Sequence, residues 1–515
     1  MLPFFSSDTP PTERRHKVLE RTHRRIKGAL RRSSVRGDIA WNRLVHSVLL
    51  MRGPLTSYNV LQALAALVFA VAATAASFTA GWPQEAAYMA GIFVAAALLW
   101  VTEALPLFAT AILVVGLEIL LLGNPGDWAG LGFGAAPTPS YQEFLAPAAD
   151  PILVLFFGGF LLARACVKEG VDRALAGLIL RAFQGRPSLV MLGLMIVTAL
   201  FSMWMSNTAA TAMMITLVTP MTAQIPEGDP IRKGLVLAVP FAANIGGMGT
   251  PIASPPNAVA VGFLSSAGYD VSFLQWMLIA IPLTVAMLGV AWVVLRWLYP
   301  PATGGLTLRA ERRSLDGRGV FVLAVLVVTV GLWLTDRWHG LPTAVVALLP
   351  AIAFTATGVL DQTDVDSLEW DILILIGGGI ALGGGMQKTG LDQIVVQAVP
   401  LGGAFVLGGL VGATVLVSTF MSNTAAANLL IPIGVSFALG ATATGGYGPI
   451  QIGLSIALAA SLSMALPVST PPNAIAYASG ELDTADFARA GGLLGALAVV
   501  LIVAFGGPVI AFWVG

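Results

Sequence analysis

The sequence predicts an all-α polytopic membrane protein of about 11 transmembrane helices, with two re-entrant helical hairpins in an inverted-topology repeat. Three observations predict this fold class. The 515 residues are 57% hydrophobic and only 10% charged, whereas soluble globular proteins carry about 25% charged residues. Apolar runs long enough to cross a hydrocarbon core of about 30 Å recur along the whole chain. A short polar motif, SNT, occurs twice inside apolar segments.

The apolar runs predict eleven crossings, because only helices satisfy their own backbone groups in lipid. The predicted spans are 57–79, 86–101, 104–122, 147–168, 232–264 (interrupted), 274–298, 318–335, 341–358, 370–387, 449–479 (interrupted) and 488–513. Two further apolar segments, 187–224 and 403–438, fit poorly as single helices. The single cysteine, Cys166, excludes a disulfide framework and is predicted to be a packing residue.

Basic residues set the predicted orientation. Residues 1–52 hold 12 of the 27 Lys and Arg residues, without the apolar region of a signal peptide behind them. The positive-inside rule places this segment in the cytoplasm. Anionic membrane lipids are its expected partner there, and a nucleic-acid partner is not expected. The remaining basic residues then fall on the cytoplasmic side, with the exceptions of Arg337 and Lys388. This holds only if segments 187–224 and 403–438 each enter and leave the membrane on the same side. The C-terminus is predicted to end outside.

The chain also contains an internal repeat. SMWMSNTAA (202–210) matches STFMSNTAA (418–426), and ASPPNAVA (253–260) matches STPPNAIA (469–476), both at an offset of 216. Upstream, residues 151–172 resemble residues 371–392 at an offset of 220. Each unit is interpreted as a helix, a hairpin with SNT at its tip, and a helix broken at PPN. Because each unit has an odd number of crossings, the second copy enters the membrane upside down, which is typical of transporters with a site at the midplane.

Four parts of the chain are predicted from this pattern. A basic cytoplasmic N-terminal segment is followed by a first part that contains repeat 1, a cytoplasmic linker, and repeat 2. Their bounds are 1–52, 57–298 (hairpin 187–224, broken helix 232–264), 299–317, and 318–515 (hairpin 403–438, broken helix 449–479).

The repeated motifs supply complementary chemistry. Ser206, Asn207 and Thr208 precede a helix that is predicted to begin near Ala209, and a helix N-terminus with free N–H donors suits an anion. The PPN prolines remove N–H donors and leave carbonyls without helical partners, which suit a hard cation. No Lys, Arg or His lies in either motif region. The pattern therefore indicates coupled binding of a cation and an anion.

Other function classes fit less well. Glu103 and Glu118 both lie near the predicted third helix, with Glu118 inside the span 104–122, and are candidate proton carriers, although a helix-boundary or interface role is favoured for both. No Walker motif is present, so ATP is not expected to drive transport. No nucleophile–base pair or metal-ligand cluster is evident, which argues against an enzyme and an organic cofactor. A gated anion channel could use the same helix ends, but two opposed hairpins argue against one continuous pore.

The two SNT triplets, each followed by a PPN break, resemble the divalent anion/sodium symporter family. WVTEALPLFATAIL (100–113) is also similar to the third-helix motif of that family, and the match covers residues 57–515. The resemblance implies a homodimer with a scaffold domain and a mobile transport domain that moves by an elevator mechanism. It also implies transport of di- or tricarboxylates across the cell (inner) membrane, with Na⁺ as the coupling ion.

The resemblance further implies which residues bind the ions and the substrate. Sodium site 1 would comprise Ser202, Ser206, Asn207 and the backbone near Ala253, and sodium site 2 would comprise Ser418, Ser422, Asn423 and the backbone near Ser469. Substrate would be held by both triplets and enclosed by three further residues: Ser206, Asn207, Thr208, Ser422, Asn423, Thr424, Ser254, Thr470 and Pro471. The first break departs from the family pattern, because Ala253 stands where a glycine is often found.

The function predicted is sodium-coupled symport of C4 dicarboxylates such as succinate, malate and fumarate. Some relatives are sodium-independent exchangers in which basic residues replace the cations. Here the sodium-site positions carry hydroxyl and amide groups instead, which favours symport. A sulfate or citrate carrier of the same fold is the remaining alternative, since both anions suit a pocket without basic residues.

Overall fold

The chain forms helices and no strand throughout the residues that the computed structural model describes, which are 57–123, 125, 139–302, 314–398, 405–440 and 447–514. The predicted basic segment 1–52 and most of the predicted linker 299–317 lie outside these residues. The all-α class predicted from composition is confirmed. The helix bounds also agree with the predicted spans to within a few residues, because the apolar runs that fix the spans are long and sharply bounded.

In chain order the helices are α1 (Ser57–Thr79), α2 (Gln84–Thr102), α3 (Leu107–Glu118, continued by a π-turn Ile119–Gly123), α4 (Tyr141–Leu145), α5 (Pro151–Glu169), α6 (Val171–Leu180), α7 (Pro187–Ser202), α8 (Asn207–Thr222), α9 (Ile231–Gly246), α10 (Pro255–Ser266), α11 (Phe273–Leu298), α12 (Gly317–Leu334), α13 (Asp336–His339), α14 (Thr343–Ala356), α15 (Gln362–Asp366), α16 (Trp370–Thr389), α17 (Leu391–Ala398), α18 (Phe405–Phe420), α19 (Asn423–Leu439), α20 (Pro449–Ser461), α21 (Pro471–Ala478), α22 (Thr484–Leu501, continued by a π-turn Ile502–Gly506) and α23 (Gly507–Val514).

Seven helical segments among the described residues are long and apolar enough to cross a membrane. They are Tyr58–Thr79, Gln84–Thr102, Tyr141–Glu169, Phe273–Leu298, Gly317–Leu334, Trp370–Thr389 and Thr484–Ala504. Other apolar helices are shorter, including α7, α14, α18, α19 and α20. A helix of 14 residues such as α14 extends about 21 Å at 1.5 Å per residue, which is less than the hydrocarbon thickness.

Both interrupted spans break where PPN predicts it. The first consists of α9 and α10, which are separated by residues 247–254, and the second consists of α20 and α21, which are separated by 462–470. Each second half starts at the first proline of PPN, where the missing N–H is harmless and the fixed φ suits a helix. The described parts of the apolar segments 187–224 and 403–438 each form a pair of helices, α7–α8 and α18–α19, and each triplet begins at the turn between them and continues into the second helix.

The internal repeat is visible in matching glycines of α5 and α16. A Cβ on Gly158 would lie 2.2 Å from the Ala347 carbonyl oxygen of α14, and one on Gly378 would lie 2.4 Å from the Ala111 Cβ of α3. Small residues of this kind allow close helix packing in membranes. Gly170 and Gly390 then end the two helices in the left-handed region, with φ of 72° and 70°. Both pairs of glycines keep the offset of 220.

Ion pairs join segments that the predicted topology places on the same side. On the predicted cytoplasmic side, Arg164 and Lys168 of α5 pair with Asp364, and Lys168 also pairs with Asp361. Two further bridges there are Arg232–Glu481 at 2.8 Å and Lys233–Asp486 at 2.7 Å. Lys388, predicted to lie outside, pairs with Glu143 at 2.7 Å.

Candidate functional site

The two triplets form the N-termini of the second hairpin helices. Ser206 adopts an extended conformation and its hydroxyl accepts the Ala209 N–H at 3.3 Å, while Ser422 accepts the Ala425 N–H at 3.2 Å. Each serine is therefore an N-cap, as its residue type favours. The expectation that the first helix starts near Ala209 is wrong by two residues. The capping bond already orders the first turn, so α8 begins at Asn207.

A serine four residues before each cap is bound to the asparagine of the triplet. The buried Ser202 hydroxyl lies 2.6 Å from Asn207 Oδ1 and 2.7 Å from the Ala243 carbonyl oxygen. In the second repeat, Ser418 lies 2.7 Å from Asn423 Oδ1 and 3.1 Å from the Ala460 carbonyl oxygen. Each repeat thus holds a hydroxyl, an amide oxygen and a backbone carbonyl together. This oxygen-only donor set is of the kind that hard cations prefer.

The asparagine of each PPN motif supports the broken backbone. Asn257 Nδ2 donates to the carbonyl oxygens of Gly247 and Thr250, both at 2.8 Å. Asn473 Nδ2 donates to those of Met464 at 3.0 Å and Leu466 at 2.9 Å. Sequence reasoning treated the breaks as a source of free carbonyls and assigned these asparagines no role. A signal was available in the sequence, because an asparagine that recurs at the offset of 216 within apolar segments is expected to be buried and to require hydrogen-bond partners.

Hydrogen bonds between buried side chains connect the two repeats. Asn244 of α9 donates to Thr470 Oγ1 of the second break at 3.1 Å and to Asn473 Oδ1 in the first turn of α21 at 3.3 Å. In the opposite direction, Ser254 Oγ of the first break lies 3.5 Å from Ser461 Oγ at the end of α20. Each break is therefore bonded to the broken helix of the other repeat.

The other predicted site residues lie around these contacts. Ala253, Ser254, Ser469 and Thr470 are buried, and Ser469 Oγ donates to the Thr419 carbonyl oxygen at 2.8 Å. All six residues of the two triplets are half-buried, whereas Pro471 is exposed.

The hydroxyls of Thr208 and Thr424 make no hydrogen bond within the described part of the chain, so they are free to bind a ligand. A Cβ on Gly247 would lie 2.5 Å from the Asn207 side chain, so the break backbone packs directly on the first triplet.

The two candidate proton carriers, Glu103 and Glu118, lie in different environments. Glu103 ends α2 in the left-handed region with φ 49°, which is a helix boundary. Glu118 is fully buried, and neither of its carboxylate oxygens is hydrogen-bonded within the described residues.

Sequence reasoning missed Glu369, one residue before α16, whose Oε1 accepts a hydrogen bond of 3.1 Å from the Ser206 hydroxyl. Desolvation raises the pKa of Glu369 to about 7, with the Asp371 carboxylate adding to the shift.

Two further observations concern possible metal-ion sites and cavities in the described part of the chain. Across the residues described, no group of three or more His, Cys, Asp or Glu side chains is placed to hold a metal ion. A cavity of about 490 Å³ opens elsewhere, and its lining includes Asp150, Asp336 and Arg337 but none of the triplet residues. The triplets, and not this cavity, hold the paired oxygen donors of Ser202 with Asn207 and of Ser418 with Asn423.

Opposed hairpin tips and broken helices that meet within a helical membrane protein define a secondary transporter. The model of the citrate transporter family, CitMHS, matches residues 97–452 and 330–514. The chain belongs to this family. The resemblance to divalent anion/sodium symporters that the SNT and PPN motifs indicated is thereby confirmed at the level of the family.

Individual relatives agree with this assignment. An uncharacterized transporter of Haemophilus influenzae is 32% identical over 434 residues, which cover 80% of this chain and 89% of the relative. The sodium-dependent dicarboxylate transporter SdcS of Staphylococcus aureus (strain USA300) is 29% identical over 481 residues, which cover 83% of this chain and 87% of SdcS.

Solved structures share the fold. The YdaH transporter of Alcanivorax borkumensis has a TM-score of 0.51 at 14% identity, and the match covers 74% of this chain and 90% of YdaH. MtrF of Neisseria gonorrhoeae has a TM-score of 0.50 at 14% identity, with 70% and 80% of the chains covered. At this identity the two structures establish the fold alone.

Proposed function

We propose that this transporter imports C4 dicarboxylates such as succinate, malate and fumarate by symport with sodium. The observation that supports it most is the duplication of one oxygen cluster, Ser202 with Asn207 and Ser418 with Asn423, each beside a capped helix N-terminus. The oxygen cluster suits sodium, and the helix N-terminus suits a carboxylate. Two such units match a substrate that has a carboxylate at each end.

In this proposal, sodium site 1 uses Ser202, Ser206, Asn207 and the backbone at Ala253, and sodium site 2 uses Ser418, Ser422, Asn423 and the backbone at Ser469. Substrate carboxylates bind at both triplets, where Thr208 and Thr424 offer hydroxyls without partners in the described residues. Ser254, Thr470 and Pro471 enclose the substrate. The absence of Lys, Arg and His from both motif regions leaves the sodium ions to balance the dianion, which couples the two transports.

The same proposal covers the architecture. The chain acts as a homodimer in the cell (inner) membrane, with a scaffold and a transport domain that moves as an elevator. The N-terminus is cytoplasmic and the C-terminus is outside. The ion pairs support this topology, because both residues of each pair belong to segments that are predicted to lie on the same side of the membrane. The first part ends at residue 298 and repeat 2 begins at residue 318.

Citrate is the second candidate substrate, because the family takes its description from citrate transport. The name of SdcS, a sodium-dependent dicarboxylate transporter, favours sodium and the C4 dicarboxylates. Sulfate and sodium-independent exchange are the remaining alternatives of the same fold.

The test is uptake of labelled succinate into proteoliposomes that carry the full-length protein, with an inward sodium gradient or with potassium replacing sodium. We expect uptake with sodium and background uptake with potassium, because without the cations nothing neutralises the dianion at the site. Protein-free liposomes are the control. Equal uptake in potassium that requires internal succinate would indicate exchange instead, and uptake of citrate or sulfate alone would contradict the substrate class.

A further inference from the structure

The second break is connected to the first repeat by one buried amide group. Asn244 Nδ2 of α9 donates to Thr470 Oγ1 at 3.1 Å and to Asn473 Oδ1 at 3.3 Å. All three side chains are buried. Both acceptor oxygens therefore have a donor, and that donor comes from the broken helix of the other repeat.

Ser461 of α20 takes the position of Asn244 in the second repeat. Asn244 directly follows the residue whose carbonyl accepts the Ser202 hydroxyl. Ser461 directly follows the residue whose carbonyl accepts the Ser418 hydroxyl. A serine side chain is shorter than that of asparagine, and its hydroxyl has one hydrogen to donate where the amide has two. Ser461 therefore cannot donate to two acceptors as Asn244 does.

The first break consequently contains an oxygen without a partner. Ser461 Oγ lies 3.5 Å from Ser254 Oγ, whereas Asn257 Oδ1 has no hydrogen-bond partner in the described residues. Ser254, Asn257 and Ser461 are 3%, 0% and 0% exposed, so bulk solvent does not supply one. Buried polar groups in native proteins are bonded to protein, ordered water or an ion. The orphaned oxygen therefore points to a ligand between α10 and α20.

The oxygens at this place have a spacing that suits a shared cation. Hydroxyl groups that hydrogen-bond to each other lie about 2.7–2.8 Å apart, which is shorter than the 3.5 Å between Ser254 Oγ and Ser461 Oγ. Sodium resembles calcium in size, and two oxygens at right angles about such an ion, each about 2.4 Å from it, lie about 3.4 Å apart. Asn257 Oδ1 is expected beside them, because the equivalent oxygens of Thr470 and Asn473 share one nitrogen.

The start of α10 does not oppose a cation there. A helix N-terminus repels cations through its unbonded N–H groups, but Pro255 and Pro256 have no N–H. The Asn257 N–H bonds to the Ser254 carbonyl oxygen at 3.0 Å. The first three positions of α10 thus present no free N–H to the ion, and no Lys, Arg or His lies in this motif region.

We propose that Ser254 Oγ, Asn257 Oδ1 and Ser461 Oγ bind a further sodium ion, which takes the role that the Asn244 amide has in the second repeat. This inference rests on the proposed function and adds an ion apart from sodium sites 1 and 2. Because its ligands come from both repeats, this sodium joins the first break to α20. One contact between the repeats thus depends on sodium, while the contact made by Asn244 belongs to the protein itself.

Ser461→Asn tests the proposal, because it introduces the amide that the first repeat has at the equivalent position. The amide nitrogen would donate to Ser254 Oγ and Asn257 Oδ1 in place of the ion. Binding of radiolabelled sodium to the purified full-length protein is measured at saturating sodium without substrate. We expect Ser461→Asn to bind one sodium ion fewer per chain than wild type, and the ratio of sodium to succinate taken up into proteoliposomes to fall by the same amount.

Two further variants guard against misfolding of Ser461→Asn. Ser461→Ala removes one oxygen ligand, and the sodium concentration that half-saturates the last site should rise at least about tenfold, since loss of even an outer partner of a metal ligand costs about 10–100-fold in affinity. Ser455→Ala is the matched control, because it removes a buried hydroxyl of the same helix that has no hydrogen-bond partner among the described residues. It should keep the wild-type sodium binding.

Two kinds of result would overturn the inference. The wild-type number of sodium ions in folded Ser461→Asn, or the wild-type sodium affinity in Ser461→Ala, would assign the three oxygens to a buried water molecule. Absence of sodium binding by wild type would contradict the proposed function and this inference with it. The two failures are distinguishable, because wild type binds sodium in the first case only.

Discussion

Replacing Asn473 by alanine is expected to abolish uptake and to lower the melting temperature by several degrees. Asn473 is fully buried, donates to two carbonyls of the second break and accepts a hydrogen bond from Asn244. A buried polar group left without its partner costs about 1–3 kcal/mol, and two carbonyls lose theirs in this variant. The break would then lose the geometry that places Ser469 and Thr470.

The first repeat provides an internal comparison. Asn257 Nδ2 also donates hydrogen bonds to two carbonyls, but its Oδ1 accepts no hydrogen bond among the described residues. Asn257→Ala should therefore destabilise the protein less than Asn473→Ala. Gln224→Ala is the control, because that exposed amide donates to a single carbonyl, of Pro220, at 3.1 Å. Unchanged uptake and melting in Asn473→Ala would contradict the supporting role of the PPN asparagines.

Replacing Asn423 or Asn207 by alanine is expected to raise the sodium concentration for half-maximal uptake at least about tenfold, which corresponds to ~1.4 kcal/mol. Each substitution removes an amide oxygen and also the partner that orients Ser418 or Ser202. The cation thus loses one ligand directly and the fixed position of a second. The measurement is the initial rate of succinate uptake as external sodium is varied.

Thr219→Ala serves as the control for these variants. Thr219 lies on α8 behind the first triplet, and its hydroxyl donates to the Ile215 carbonyl of its own helix at 2.8 Å. Its removal should leave the sodium dependence unchanged. An unchanged sodium dependence in Asn207→Ala and Asn423→Ala would place the coupling ion elsewhere.

The sequence predicts the helices and the breaks well, because these depend on local chemistry. The apolar runs fix the spans, and the PPN prolines fix the start of α10 and α21. The residue types of each triplet predict an N-cap there, although they do not specify which of the three residues it is. The repeat adds information that a single motif lacks, since matching glycines such as Gly158 and Gly378 keep both offset and packing role.

The contacts that the sequence could not predict connect segments distant along the chain. Glu369 meets Ser206 across 163 positions, and Asn244 meets Thr470 across 226. No periodicity or motif specifies such a pair. Glu369 also gives no local signal, because it stands one residue outside the predicted span 370–387 and is therefore not among the acidic residues inside a span.

In the proposed function, the two triplets form one site that binds one dianion. The most direct test is a calorimetric titration of the purified full-length protein with succinate in sodium, repeated with Ser206→Ala and Ser422→Ala. We expect one succinate per chain in wild type and a loss of binding in either variant, because each triplet holds one end of the same molecule. Two succinates per chain, or full binding that survives one of the substitutions, would contradict it.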